Sequence, residues 1–168
     1  MPAYMQTLWR SGLCPALVPV SFYRQGERPC RALHCEGLTH IAAYALQCPD
    51  GIEDSFCLLL HALESAALSC LEAQRWLADP RYISLAGGDL FYDREKGKSL
   101  LLFCDTADDR PFLPRFCGLC EDLGGSGQLI AARLQDVSAA CVLEERKTAA
   151  FLRGWRQEIR EGQKGPSI

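Results

Sequence analysis

The chain has 168 residues, of which 48% are hydrophobic and 23% charged, and its 18 Lys and Arg against 21 Asp and Glu give a formal net charge of −3. This length suits one domain, which we place at residues 1–161, followed by a flexible tail at residues 162–168. The hydrophobic content argues against an intrinsically disordered chain. The slightly acidic balance argues against a nucleic-acid partner, which requires basic residues to neutralise phosphates.

The N-terminal residues and the apolar runs predict a cytoplasmic protein. Residues 1–10 lack the apolar segment and the small-residue cleavage site of a signal peptide. The longest apolar runs, at residues 41–46, 56–60 and 100–104, are far shorter than the roughly 20 residues that cross a bilayer. We therefore expect no direct insertion into a membrane.

The first third of the chain predicts a β-hairpin followed by a short helix. Residues 16–23 and 30–35 carry strand signals, and the turn-forming residues 25–29 separate them. Because proline cannot donate a ladder hydrogen bond, Pro19 confines the first strand to a sheet edge or to its own start. The apolar spacing in residues 38–46 favours a short helix.

The clearest element is a long amphipathic helix at about residues 52–77. Its apolar residues recur at every third or fourth position, so that they form a wide stripe on one side of the helix. Pro80 ends the helix, because proline has no N–H and disfavours helical backbone at the residue before it. We expect this helix to lie at the centre of the fold.

A second hairpin follows the long helix. Residues 89–92 form its first strand, residues 93–98 the turn and residues 99–104 the returning strand. Gly97 can adopt the positive φ that such a turn often requires. The returning strand is apolar almost throughout, so we expect it to be buried on both faces.

The last third of the chain predicts three helices. They lie at residues 111–123, 129–143 and 148–159, and a glycine-rich break at residues 124–127 separates the first two. Pro114 is awkward inside the first of these helices and is expected to delay its start. The whole pattern predicts an α+β fold with a small N-terminal β-hairpin, a long central helix, a second β-hairpin and C-terminal helices.

Ten cysteines are present, and most occupy positions that suit a small apolar residue. Cys117 and Cys120 form a C-x-x-C pair, which makes them the weak candidates for a metal site. A redox pair belongs at a helix N-terminus after a strand, whereas this pair lies inside a predicted helix. A zinc site needs a second ligand pair, and Cys30 with His34 or Cys35 has an unusual spacing. We therefore expect ordinary packing and reduced thiols.

No complete catalytic or cofactor-binding motif is present in the sequence. H-E-x-x-H, G-x-S-x-G and a phosphate-binding G-K-[ST] are all missing. His61 and Glu64 are three residues apart on the long helix, which favours a surface contact between them. Asp105, Asp108 and Asp109 could hold a cation, but they lack EF-hand spacing, so we expect a solvated loop. We expect no catalytic residue, no cofactor and no enzyme activity.

The last helix carries the weak candidates for an interaction surface. Arg153, Arg156 and Arg160 line its polar side, where a solvated helix face is the simpler interpretation. Trp155 lies among them, and tryptophan is enriched at binding hot spots. Trp155, like Trp9 and Trp76, is expected to be a half-buried core residue.

The order of the apolar blocks in residues 14–155 resembles a known domain family. The resembling segments are Leu17-Val18-Pro19-Val20, Leu38-Thr39-His40-Ile41, Trp76-Leu77-Ala78-Asp79-Pro80-Arg81-Tyr82-Ile83, Asp89-Leu90-Phe91-Tyr92-Asp93 and Leu101-Leu102-Phe103-Cys104. The family is an uncharacterised bacterial domain that usually lies N-terminal to forkhead-associated, phosphothreonine-binding domains in Gram-positive bacteria. The resemblance implies a role in signalling.

A weaker resemblance is to protein-kinase-like folds, including the pseudokinase domain of a type VII secretion subunit. It places residues 89–93 near the metal-binding Asn of a kinase and residues 103–105 near its Asp-Phe-Gly. Phosphoryl transfer also requires a glycine-rich phosphate loop, a strand lysine and a His-Arg-Asp. The first hairpin has only Gly26 and no lysine, and His-Arg-Asp is missing, so we expect no ATP turnover.

These observations favour a non-catalytic interaction or scaffold domain in bacterial signalling or secretion, with a protein as its partner. One alternative is a degenerate kinase-like regulatory domain that binds a nucleotide without turnover. A second alternative is a small zinc or thiol protein that uses Cys117 and Cys120.

Overall fold

A computed structural model describes residues 1–46 and 52–163 and shows a mixed α+β fold, as the sequence predicts. Its elements in chain order are α1 (Ala3–Ser11), β1 (Val20–Gln25), β2 (Arg28–Leu33), β3 (Leu38–His40), α2 (Ile41–Leu46), α3 (Ile52–Arg75), 3₁₀ turns at Pro80–Tyr82 and Gly87–Asp89, β4 (Phe91–Asp93), β5 (Lys98–Leu100), α4 (Phe112–Asp122), α5 (Gly125–Ser138) and α6 (Glu145–Gln163).

The long helix α3 forms the centre of the core, as its periodicity predicts. It packs against α6 on one side and against β5 on another. Leu60, Leu63, Ala66 and Ala67 on α3 are completely buried. The alanines carry small side chains, so neighbouring elements can approach the helix closely.

The strands form two antiparallel sheets. Strands β1 and β2 form a hairpin in which Val20 pairs with Leu33, and β1 begins directly after Pro19, as expected. The second sheet has the order β3-β4-β5, with Leu38 opposite Asp93. The prediction of helix is therefore wrong for residues 38–40. Pairing with β4, a strand distant in sequence, overrides the local periodicity there.

The second hairpin is present as predicted, but its strands are shorter: β4 begins at Phe91 rather than at residue 89, and β5 ends at Leu100 rather than at residue 104. Gly97 has a φ of 60° in the turn between β4 and β5. Residues 99–103 are all buried, which confirms the expectation from their apolar character. Beyond β5, Leu101 pairs with Leu17 and Phe103 pairs with Ile83 through single bridges, so this segment connects the N-terminal part of the fold to the turns after α3.

Helix α1 was not predicted, because only Met5 and Trp9 mark its apolar face. Both are buried, and the indole Nε1 of Trp9 donates a hydrogen bond to the carbonyl of Val18 at 2.7 Å. The expectation that Trp9 is half-buried is therefore wrong. Its ring packs edge-on against Phe22 and Phe103, which fixes α1 against both hairpins.

The C-terminal helices differ from their predictions mainly in their boundaries. Helix α4 begins at Phe112, so the expectation that Pro114 delays its start is wrong. Pro114 lies in the first turn, where a backbone N–H has no carbonyl partner within the helix, so the missing N–H of proline costs no hydrogen bond. The glycine-rich segment forms the first turn of α5, which ends at Ser138. Helix α6 continues to Gln163, so residues 162 and 163 are helical and not part of a flexible tail as predicted, and residues 164–168 lie outside the described part of the chain.

Among the described residues, one helical stretch, Asp54–Arg75, is long and apolar enough to cross a membrane. However, 67% of its most apolar 18-residue window is buried inside the fold. The helix therefore has the burial expected of the core helix of a soluble protein.

Candidate functional site

The acidic residues of the loop before α4 are paired with arginines. The two terminal guanidinium nitrogens of Arg31 on β2, Nη1 and Nη2, each donate to one carboxylate oxygen of Asp105 at 3.3 Å. Arg81, in the turn after α3, contacts Asp109 at 3.4 Å. Asp105 and Asp109 are exposed, as expected of a solvated loop, and their ion pairs with Arg31 and Arg81 connect the loop to two other elements. Among residues 1–46 and 52–163, no three His, Cys, Asp or Glu side chains are grouped so that they could hold a metal ion.

Asp108 lies between two arginines. Its Oδ2 is 2.7 Å from Nη2 of Arg110 and 3.4 Å from Nε of Arg115. The hydrogen bonds from Arg110 lower the pKa of Asp108 to about 2, so this carboxylate is ionised at neutral pH. One negative charge therefore faces two positive charges.

Arg115 is a buried charge on the first turns of α4. Its side chain is only 6% exposed, and its guanidinium donates to the carbonyl oxygens of Pro80, at 2.9 Å, and Ile83. An arginine has five N–H donors, so these two bonds and the contact with Asp108 leave donors over. Arg115 thereby joins α4 to the turn after α3.

A cavity of about 390 Å³ lies beside Arg115. This volume is within the range of small-molecule sites. Its walls are the extended segment at residues 83–86, the loop at residues 104–110 and one face of α4. The lining side chains include Ser84, Leu85, Cys104, Asp108, Arg110 and Arg115.

Three residues of α4 line this cavity with the spacing i, i+3, i+7. They are Arg115, Gly118 and Asp122, and this spacing places them on one face of the helix. No atom lies within 4 Å of the position that a Cβ on Gly118 would occupy. At the far end, Oδ2 of Asp122 accepts a hydrogen bond from the backbone N–H of Gly87 at 3.0 Å. Along the helix, this face therefore presents a positive charge at Arg115, an open space at Gly118 and a negative charge at Asp122.

Cys117 and Cys120 are buried in the contact of α4 with α5. Burial raises the pKa of each thiol, so both stay protonated at neutral pH. The Sγ of Cys117 lies 3.9 Å from the carbonyl oxygen of Ala131. In this arrangement both side chains fill space between the two helices.

The remaining cysteines are distributed between core and surface. Cys14, Cys57 and Cys70 are buried, and Cys141 is exposed. Cys30, Cys35 and Cys104 have intermediate exposure, and Cys48 lies outside the described residues. All nine described cysteines are free thiols, as expected.

Two arginines of α6, Arg153 and Arg156, form ion pairs with Glu64 on α3. Nε of Arg153 donates to Oε1 of Glu64 at 2.7 Å, and Nη2 of Arg156 is 2.9 Å from Oε2. Glu64 is only 5% exposed, and a buried carboxylate requires a counter-charge. The expectation of a solvated face is therefore wrong for Arg156, which is largely buried, whereas Arg153 and Arg160 are exposed. Trp155 is half-buried as expected, and its ring packs edge-on against Phe56 at 5.3 Å.

His61 lies in the same interface. Its Nδ1 is 3.8 Å from Oε2 of Glu64, and its ring packs edge-on against Tyr92. The expectation of a surface contact between His61 and Glu64 is therefore wrong, because Glu64 is buried under α6. Burial, together with the charge of Arg156, lowers the pKa of His61, so the ring is neutral at pH 7.

The C-terminal end of α3 forms an exposed corner. Leu77 has a φ of 64°, and the N–H groups of Leu77 and Ala78 donate back to the carbonyls of Gln74 and Ala73. This is a Schellman motif, whose left-handed position is usually a glycine. Leu77 is 79% exposed and Trp76 is 40% exposed, which is more than expected for a half-buried core tryptophan.

The acidic residues singled out by the kinase-like resemblance bond within the fold. Asp89 accepts from the hydroxyl of Ser84 at 2.6 Å, and Asp93 accepts from the backbone N–H of Lys96 at 3.0 Å.

The space beside the pair of Arg31 and Asp105 has a volume of about 200 Å³. That volume is below the roughly 300 Å³ at which small-molecule pockets begin.

No protein-family model, curated protein or solved structure matches the chain.

Sequence patterns alone do not mark Arg115, Gly118, Asp122 or Leu77 as functional residues. Arg115 is the one charged residue between the helix start at Phe112 and Glu121, and this isolation in an apolar helix was the available signal. Leu77 carried no signal, because the sequence does not show where the helix turns left-handed.

Proposed function

We propose that the protein is a non-catalytic, protein-binding domain whose contact surface is the corner at residues 75–77. The observation that carries this proposal is Leu77, an exposed leucine in a left-handed position. A residue other than glycine costs about 1 kcal/mol there, because its Cβ crowds the following carbonyl. Since Leu77 is 79% exposed, core burial does not offset that cost. Contact with a partner would do so.

The neighbours of Leu77 fit the same role. Arg75 and Trp76 are both exposed, and arginine and tryptophan are the residue types most enriched at binding hot spots. Burying Trp76 and Leu77 together would remove a large apolar area from water. The complementary partner has an apolar depression for these two side chains and an acidic group for Arg75.

The resemblance to domains that precede forkhead-associated domains suggests bacterial signalling or secretion as the setting. A cytoplasmic location fits this setting and the burial of α3 in the core. The partner in this proposal is a cytoplasmic protein.

The first test measures stability and needs no partner. Leu77→Gly is expected to raise the free energy of unfolding by about 1 kcal/mol, because glycine adopts the left-handed conformation without strain. Leu77→Ala is the matched control, since alanine keeps the strain and is expected to change stability little. A less stable Leu77→Gly protein would show that Leu77 supports the fold, and the proposal would be wrong.

The second test places a photo-crosslinking amino acid at position 77 of the full chain in cells that express it naturally. A discrete adduct with one other protein is expected. Position 142 is the matched control, because Val142 is also strongly exposed and lies outside the corner. Adducts only between copies of this chain, or adducts that form equally from position 142, would overturn the proposal.

A further inference from the structure

The cavity beside α4 has an excess of positive charge at one end. Arg110 and Arg115 share the single carboxylate of Asp108. Arg115 is almost completely buried, so water screens its charge poorly. An anionic group that entered this end of the cavity would gain charge-assisted hydrogen bonds from the guanidinium groups.

The opposite end of the cavity is negative. Asp122 has no ion-pair partner in the part of the chain that the structure describes, and one of its oxygens accepts the N–H of Gly87. Asp122 lies seven residues after Arg115 on the same face of α4, which separates the two by about 10 Å along the helix axis. The two charges therefore mark the ends of one elongated site.

On α4, the position between these two ends has no side chain. Gly118 lines the cavity midway along the face, and nothing fills the position of its missing Cβ. Ile83 and Leu85 line the cavity as well and supply apolar contact. An alkyl chain would fit along Gly118, with its charged ends at Arg115 and Asp122.

We propose that this cavity binds a small linear zwitterion, with a carboxylate at one end and a primary ammonium at the other, separated by an extended apolar chain. The carboxylate binds Arg110 and Arg115, and the ammonium binds Asp122. A simple anion lacks a group for Asp122 and a simple cation lacks a group for the guanidinium pair, so a molecule that carries both charges makes contacts at both ends and binds most tightly. This proposal is independent of the corner at residues 75–77.

Isothermal titration calorimetry on the full chain tests the charge pattern with ε-aminocaproate as the probe. Caproate and n-hexylamine are the matched controls, because each keeps the chain length and loses one charge. ε-Aminocaproate is expected to bind at least about tenfold more tightly than either control. The shorter γ-aminobutyrate, which cannot reach both ends, is expected to bind more weakly. Equal binding of the three matched compounds, or no binding of any, would overturn the proposal.

Two variants locate the site. Gly118→Leu fills the open face and is expected to abolish binding of ε-aminocaproate, whereas Gly154→Leu leaves it unchanged. Gly154 is the matched control because it is also a helical glycine with open space at its Cβ position, but it lies on α6 outside the cavity. Unchanged binding by a folded Gly118→Leu protein would place the ligand elsewhere and contradict the proposal.

Asp122→Asn tests the ammonium end and does not depend on how the Gly118→Leu variant folds. Asparagine keeps an oxygen for the N–H of Gly87 but removes the negative charge. Affinity for ε-aminocaproate is expected to fall about tenfold, to that of caproate, while affinity for caproate does not fall. An unchanged preference for ε-aminocaproate would show that Asp122 does not hold the ammonium.

Discussion

Two glycines on neighbouring helices have opposite surroundings. A Cβ on Gly127 of α5 would lie 2.1 Å from the backbone oxygen of Cys120 on α4, whereas a Cβ on Gly118 of α4 would meet no atom within 4 Å. Close contact of α4 with α5 therefore requires a glycine at Gly127. Packing does not require one at Gly118. The difference shows that the α4–α5 contact is shaped by the core, while the opposite face of α4 keeps a space that the core does not use.

The largest effect is expected from Gly127→Ala. The methyl group would collide with backbone that cannot move without separating the two helices, so the free energy of unfolding should fall by about 3 kcal/mol. Urea denaturation of the variant measures this change. A variant as stable as the wild type would contradict the close approach of α4 and α5 at this glycine.

A smaller loss is expected from Gly87→Ala, at the Asp122 end of the open face. The added Cβ would lie 2.7 Å from the Cβ of Asp122, so the turn and α4 must shift apart. This shift should lower the free energy of unfolding by about 1–2 kcal/mol. Gly88→Ala is the matched control, because nothing lies near its Cβ position. Equal stability of the two variants would show that the turn does not contact α4 as described.

Gly118→Ala is expected to change stability in the opposite direction. Alanine is favoured over glycine inside a helix by about 1 kcal/mol, and the open face leaves room for the methyl group. Thermal unfolding should therefore show a higher midpoint. A lower midpoint would mean that the face is occupied by the fold itself, and the contrast with Gly127 would be lost.

The smallest effect on stability is expected at the α3–α6 interface. Unlike the open face of α4, this interface buries its charged groups between two packed helices. Burial lowers the pKa of His61, followed by the charge of Arg156, while Glu64 partly opposes them. As pH falls below about 6.5, the unfolded chain therefore takes up a proton that the folded protein resists, and stability falls. Urea denaturation of wild type and His61→Gln between about pH 7 and pH 5 should show the flatter dependence in the variant. Identical slopes would place the titrating group elsewhere.

The sequence predicted those parts of the fold that depend on local patterns. The 3.6-residue period of α3 and the apolar run of residues 99–103 were sufficient, because the apolar stripe of the helix and the whole of that run are buried. Strand β3 was missed because it exists only through pairing with β4, about fifty residues away. Helix α1 was missed because a short helix with two buried residues has almost no periodicity.

The candidate site could not be predicted, because it depends on contacts between distant segments. Arg115 acquires its role from the carbonyls of Pro80 and Ile83 and from Asp108, and none of these contacts follows from spacing. The same holds for Arg153 and Arg156, which were placed on a polar face without reference to Glu64 on α3. Sequence patterns identify which side of a helix is apolar, but they do not identify which charges meet across helices.

The separation of the two sheets has a consequence for amide hydrogen exchange. Within residues 1–46 and 52–163, strand β2 pairs only with β1, its neighbour in sequence, and most residues of β2 are exposed. Strand β4 lies between β3 and β5 and is largely buried. Amide protons of the first hairpin should therefore exchange through brief local openings, whereas those of β4 should exchange only when the whole molecule unfolds.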